Sequence, residues 1–284
     1  MKNIYTLLLL IVFSFVMKAD VSVSEKNALI KLYNATNGAN WTSKWDLNNP
    51  VSTWYGVGVQ EDKVVSVQLP NNNLVGVLPS EISDLVYLKN LNLYKNSISG
   101  SIPSAIGEMK SLESLNLSFN KLSGALPASI GNVSSLKNLE LFMNAFSGNI
   151  PSEIGKLSNL ETLSLYNNAI EGQIPLSLYE LKNLQVLLLN SNQISGTLSP
   201  SIANLTNLQQ LSLFDNKMNG QVPFDLEKLN SLKEMNISYN QFSGFVSKDL
   251  AKLDVLNMTM INNKGVAVVL KVSMDKNTAI VSEE

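Results

Sequence analysis

The chain has 284 residues, 45% of them hydrophobic and 15% charged, enough apolar material for a sizeable core in one domain or one repeat array. All 21 basic residues are lysine, set against 23 acidic ones, so the net charge is only -2 and no guanidinium fork is available for phosphates, which argues against a nucleic-acid partner. With neither cysteine nor histidine there is no disulfide framework, thiolate metal site, sulfur nucleophile or imidazole base, and most hydrolytic mechanisms lose a required part.

Residues 1–19 begin with an early lysine, Lys2, run apolar from Ile4 to Val16 and offer Ala19 as a cleavage point, the layout of a secretory signal. An uncleaved anchor is the alternative, but a spanning helix needs ~20 apolar residues and this run is shorter. Cleavage would remove Lys2 and Lys18, shifting the net charge from -2 by two further units to -4. The expected product is exported or held at the cell surface, monomeric, and not inserted in a membrane.

Residues 20–63 read as a cap. The segment SVSEKNALIKLYNATNG predicts a helix with a capping box between Ser22 and Glu25, an apolar face including Leu29, Leu32 and Tyr33, and a stop at Asn37 and Gly38. Trp41, Trp45, Trp54 and Tyr55 follow. WYGVGV is then expected to pair with VVSVQL through a turn near Glu61 and Asp62.

From residue 64 to 264 the chain repeats itself every 24 residues. Asparagine recurs at Asn72, Asn96, Asn120, Asn144, Asn168, Asn192, Asn216 and Asn240, each followed four residues later by glycine. Three residues beyond the glycine stands proline, except at Ser199 and Ser247. Before each asparagine runs an apolar triplet such as Leu160, Leu163 and Leu165, whose last two members alternate with polar residues like a short strand with one buried face. One such unit cannot hide its leucines, so stability has to come from neighbouring units closing over a shared core. The asparagine sits where the chain leaves the strand, and its amide is suited to satisfying backbone groups that the turn leaves unpaired. A ninth unit through Val255, Met258, Met260 and Asn263 fits only if it is one residue short, and the other register, through Leu256 and Ile261, loses the asparagine. Residues 265–284, with their alternating pattern, are expected to cap the open edge or form a tail.

The stretch LNLSFNKLSGALPASIGNVSSL, Leu115 to Leu136, resembles the plant-type leucine-rich repeat, LxxLxLxxNxLxGxIPxxIGxL, and the resemblance runs from about Val64 to Leu256. It implies an α/β solenoid of right-handed hand, with a parallel concave sheet, short helical turns or a second small sheet opposite, and capped ends. It also implies a binding protein rather than an enzyme, without a cofactor. The amino-terminal segment resembles the cap of exported bacterial members of the family. Val57 and Val59 stand where plant relatives usually place cysteines, so aromatic packing is expected to take over from a disulfide.

If Leu163 and Leu165 point inward, Tyr166 points out across the concave face. The same column in successive units is Pro70, Tyr94, Ser118, Phe142, Tyr166, Asn190, Phe214 and Ser238. Units with serine have an aromatic one residue on, Phe119 and Tyr239, and the unit with Asn190 exposes Val186 and Leu188. Strands lie ~4.8 Å apart, so the rings of Phe142 and Tyr166 are expected to stack. The band is bordered by Asn90, Asn92, Asn138, Glu140, Asp215 and Asn236. Two readings stay open: the rings shield the sheet and stack on each other, or Tyr94, Phe119, Glu140, Phe142, Tyr166, Leu188, Phe214, Asp215 and Tyr239 contact an extended protein, peptide or polysaccharide partner. Glu140 and Asp215, three units or ~14 Å apart, are too far separated for glycoside hydrolysis. Recognition or adhesion is the leading functional expectation, with inhibition of a secreted polysaccharide-degrading enzyme next and ice binding third.

Overall fold

A computed structural model describes residues 21–254, 256 and 258–273. The export signal expected at 1–19, Val255 of the ninth unit and the tail from 274 onward lie outside the described residues.

The first element is the helix Val23–Ala35. Ser22 Oγ accepts from the Glu25 backbone N–H at 3.2 Å, and Glu25 Oε2 accepts from the Ser22 N–H at 3.3 Å, the reciprocal capping box. The second carboxylate oxygen, Oε1, accepts from Val64 N at 2.9 Å, so this buried glutamate both caps the helix and pins it to the first strand of the array. Beside it, the Trp41 and Trp45 rings meet edge-on and those of Trp45 and Trp54 stack, each pair with centroids 4.8 Å apart. Each indole N–H donates to a backbone carbonyl: Trp41 to Thr36, Trp45 to Tyr55 and Trp54 to Asn49. Burial of large rings with their polar edges satisfied is what a cap without disulfides needs. The hairpin joins Val57–Gln60 to Lys63–Gln68, and Glu61 and Asp62 both take positive φ, 51° and 56°, as a two-residue hairpin turn demands.

The hairpin opens a nine-stranded sheet. It continues through Asn90–Asn92, Ser114–Asn116, Asn138–Glu140, Thr162–Ser164, Val186–Leu188, Gln210–Ser212 and Glu234–Asn236, all parallel and in chain order. Pairing keeps the 24-residue register, Leu139 opposite Leu163 opposite Leu187. An eight-stranded sheet of equally short strands, Val75–Val77 to Gln241–Ser243, runs along another side of the coil. Short 3-10 turns such as Ser152–Lys156 close each unit, and the proline carbonyl that precedes them accepts the first turn's hydrogen bond, as Pro151 O does from Ile154 N at 3.1 Å. The two units without that proline use a serine cap instead: Ser199 Oγ accepts from Ser201 N, and Ser247 Oγ accepts from Leu250 N. The 3-10 turns stack so closely that a Cβ added at Gly131 would lie 2.2 Å from Glu153 O. Tyr179 occupies the corresponding place two units on and buries its ring, and burial pushes its hydroxyl pKa up to about 12.

The recurring asparagines form the expected ladder. In Asn216, Nδ2 donates to Leu189 O and Leu213 O at 3.0 Å each, and Oδ1 accepts from Ile194 N at 2.9 Å. One side chain thus bridges its own unit and the preceding one. Asn96 through Asn240 repeat this pattern, whereas Asn72, at the start, turns to the cap and exchanges bonds with the Ser43 backbone.

At the other end the ladder stops at Asn240. Met258 and Met260 are buried as the first register requires and Leu256 is exposed, but Asn263 is exposed too and does not extend the ladder. The reason lies in Asp254. Its backbone pairs with Met235, and its buried carboxylate accepts from Ile237 N, Ser238 Oγ, Leu256 N and Met258 N. One acidic side chain thereby satisfies groups that a ninth regular coil would have covered, and Thr259–Ile261 leaves to pair antiparallel with Ala267–Val269.

Replacing Asn216 by alanine leaves Ile194 N without its partner and strips Leu189 O and Leu213 O of one of their two asparagine donors, Asn192 and Asn240 keeping the others, and is expected to lower unfolding stability by about 2 kcal/mol. Asn216→Asp should cost a similar amount, since a carboxylate cannot donate to Leu189 O. Urea midpoints read by far-UV circular dichroism check both.

Candidate partner-binding face

The nine-stranded sheet presents alternate residues away from the leucine core, and the strands' short length sets how far each outward side chain stands from its turn. Immediately past each strand the residue before the ladder asparagine adopts the left-handed conformation, with φ between 51° and 59° from Asn71 to Tyr239. Phe119 and Tyr239 occupy this position. Their rings therefore swing over the face from the turn, rather than standing on the strand.

The rings form a continuous row over four units. Tyr94 meets Phe119 edge-on at 5.4 Å, Phe119 meets Phe142 edge-on at 5.5 Å, and Phe142 stacks on Tyr166 with centroids 4.4 Å apart and planes 11° apart. A second group pairs Phe214 with Tyr239 at 5.2 Å. Tyr94, Phe142, Tyr166 and Phe214 are partly exposed, and Phe119 and Tyr239 are exposed. Ser118 and Ser238, expected in the outward column, are instead fully buried. The ring one residue later covers each, and their hydroxyls donate within the protein, Ser118 to Oδ1 of Asn116 on the same face and Ser238 to Oδ1 of the buried Asp254.

Below the rings the strand positions carry amides that also serve the fold. Oδ1 of Asn92, Asn116 and Asn236 accepts from the backbone N–H two residues on, in Tyr94, Ser118 and Ser238. Asn116 Nδ2 donates to Glu140 Oε2. Glu140 is half-buried among these groups, and burial raises its carboxyl pKa above the ordinary glutamate value. Burial likewise raises the hydroxyl pKa of Tyr166, with Tyr94 and Glu140 adding to it. Leu188 is partly exposed, whereas Asp215 lies exposed in a turn, off the strand face.

The structure thus brings Tyr94, Phe119, Glu140, Phe142 and Tyr166 into one patch and sets Phe214, Asp215 and Tyr239 in another. Between them is a hollow of about 520 Å3 lined by Tyr166, Leu188, Asn190, Gln210, Ser212, Glu234 and Asn236. Gln210 and Glu234 did not figure among the expected contacts. Both fall in the outward strand columns beside Asn190, a signal present in the strand alternation although neither residue is aromatic.

Leucine-rich repeat family profiles match this chain in two places, a leucine-rich repeat at residues 62–122 and a leucine-rich repeat region at 142–266. The chain belongs to the leucine-rich repeat family, in its plant type. Among solved structures it is similar to PEPR1-AtPEP1, with 25% identity and a TM-score of 0.71 over 88% of this chain and 42% of that one. It is also similar to a plant peptide hormone receptor, RGFR1, in complex with RGF2, with 29% identity and a TM-score of 0.64 over 73% of this chain and 32% of that one. The chain therefore spans under half the length of these two chains. A plant ice-binding protein, 22% identical, shares the fold with a TM-score of 0.61 over 90% of this chain and 99% of that one. No curated protein matches the chain. No helix among the described residues is long and apolar enough to cross a membrane.

Because the folded state holds the Glu140 proton more tightly than the unfolded chain does, its contribution falls as pH rises from the unfolded value, about 4.3, through the raised folded value. Glu140→Gln should therefore be more stable than the parent at neutral pH, with the difference vanishing below about pH 4. Paired urea titrations across that range would show the convergence, and a gap that widens toward acid would contradict it.

Proposed function

We propose that this protein is a non-catalytic, exported or cell-surface recognition module that binds an extended protein or peptide partner along its concave sheet. The observation that carries the reading is the row of partly exposed rings from Tyr94 to Tyr166, continued by Phe214 and Tyr239 and flanked by amides. Rings already fixed by their neighbours lose little freedom when a partner covers them, which is what makes aromatic residues effective contact centres. The matched plant receptor in complex with RGF2 lends weight to a peptide, since a parallel sheet of short strands offers any such chain a long track of regularly spaced side chains. Leu188, Glu140 and Asp215 belong to the same proposed surface, as does Phe119. A polysaccharide could use the same rings and amides, and a secreted polysaccharide-degrading enzyme blocked by this face is the second reading. Ice binding fits less well, because the rings interrupt the flat, regular polar array that it calls for.

Changing Tyr94, Phe142, Tyr166 and Phe214 together to serine should abolish binding of peptides selected from a displayed random library, while near-ultraviolet dichroism from the cap tryptophans stays unchanged. Retained binding would sink the assignment. Binding of pectin or xylan oligomers by the parent, inhibition of glycosidases, or thermal hysteresis would move the protein to one of the other readings.

A further inference from the structure

The row of rings has one break. From Tyr94 to Tyr239 every unit supplies a ring, either in the outward column or one residue later, except the unit carrying Asn190 and Ser191. Phe214 leans toward Tyr239, with centroids 5.2 Å apart, and so leaves the space beside Asn190 open. The hollow of about 520 Å3 sits there, with the Tyr166 ring at one side, Leu188 within it and Glu234 at the far side. It is wide enough for one long side chain and part of the backbone that carries it.

Its polar groups have a definite sign. Glu234 is the one formally charged residue in the lining, and its Oε2 accepts from Gln210 Nε2 at 2.9 Å, which holds the carboxylate against the hollow. Among the described residues no lysine lies within ion-pair distance of Glu234, and the neighbouring Lys233 and Lys217 donate to Gln209 and Gln193 instead. The outward strand positions from Asn90 to Asn236 include Glu140 and Glu234 and no lysine at all. A neutral apolar side chain entering the hollow would strip water from the carboxylate without replacing it, and an anion would be repelled. A cation on a long stem meets both demands: with the carrying backbone beside the Tyr166 ring, the stem lies along Leu188 while its end reaches the Glu234 carboxylate beside Gln210.

Resting on the peptide-binding reading above, we propose that the hollow at Asn190 is a specificity pocket for a lysine or arginine side chain of the bound peptide. The rings on either side hold the peptide chain, and the pocket sets its register.

Panning a phage-displayed random-peptide library against the parent, Glu234→Gln and Asn190→Phe tests this. The first substitution removes the charge and keeps the shape, and the second fills the hollow with the missing ring. Peptides selected on the parent should share one fixed basic position. Replacing that residue with glutamine in a synthetic selected peptide should weaken binding to the parent about fivefold or more and leave binding to Glu234→Gln nearly unchanged. Asn190→Phe should select peptides without the basic position. Selected peptides that depend on the four rings but lack a shared basic residue, or that lose equal affinity on parent and Glu234→Gln, would overturn the pocket while leaving the peptide-binding reading intact. If the parent selects no peptide, or binds cello-oligosaccharide or pectin oligomers instead, that reading fails and the pocket with it.

Discussion

Every unit of this solenoid depends on the asparagine that ends its inner strand. When the chain turns out of a parallel strand it leaves backbone groups facing a dry interior, where each unpaired group costs roughly 1–3 kcal/mol. Asparagine meets the need because one short side chain carries both donor and acceptor, and Asn168 uses them on Leu141 O, Leu165 O and Phe146 N. Two carbonyls come from adjacent units, so the side chain measures the distance between coils as well as satisfying them. Aspartate could not donate and glutamine would overshoot. The 24-residue period follows from that constraint as much as from the leucines.

The ends of the stack show the same requirement from the other side. Asn72 has no preceding unit and finds its partners in Ser43 of the cap. After Asn240 there is no regular unit to come, and Asp254 gathers four hydrogens from the last strand and the departing chain. A carboxylate is well placed here because all four of its partners are donors. Repeat arrays in general have to be closed off with residues unlike their interior ones, and here the amino-terminal end closes on the cap, through the Ser43 backbone, and the carboxy-terminal end on the Asp254 carboxylate.

Much of this was legible in the residues. The strand leucines, the asparagines, the capping box of Ser22 and Glu25, and the stacking of Phe142 on Tyr166 all follow from periodicity and local chemistry. What was not legible depends on contacts without a period. Asp254 looks like any surface aspartate until the last coil is seen to be shortened. Ser118 and Ser238 obey the alternation of a strand and yet are buried, because the left-handed turn lays Phe119 and Tyr239 over them. The break at Asn190 was visible as a missing ring, but that it forms a hollow beside Glu234 depends on the direction in which Phe214 leans.

The ladder and the ring row are coupled through the turn between them. Each ladder asparagine fixes the residue before it in the left-handed conformation, and that residue is where Phe119 and Tyr239 sit. The positions of these rings are thus set by the backbone, with hydrogen bonds on both sides of the turn, and not only by their own contacts. A surface built in this way would be ordered before any partner arrived, so binding would not have to supply the cost of ordering it. The same coupling bears on the choice between shield and contact surface. Phe119 does both: it lies over the buried Ser118 of its own unit, and it touches Tyr94 and Phe142, extending the row across units while remaining exposed itself.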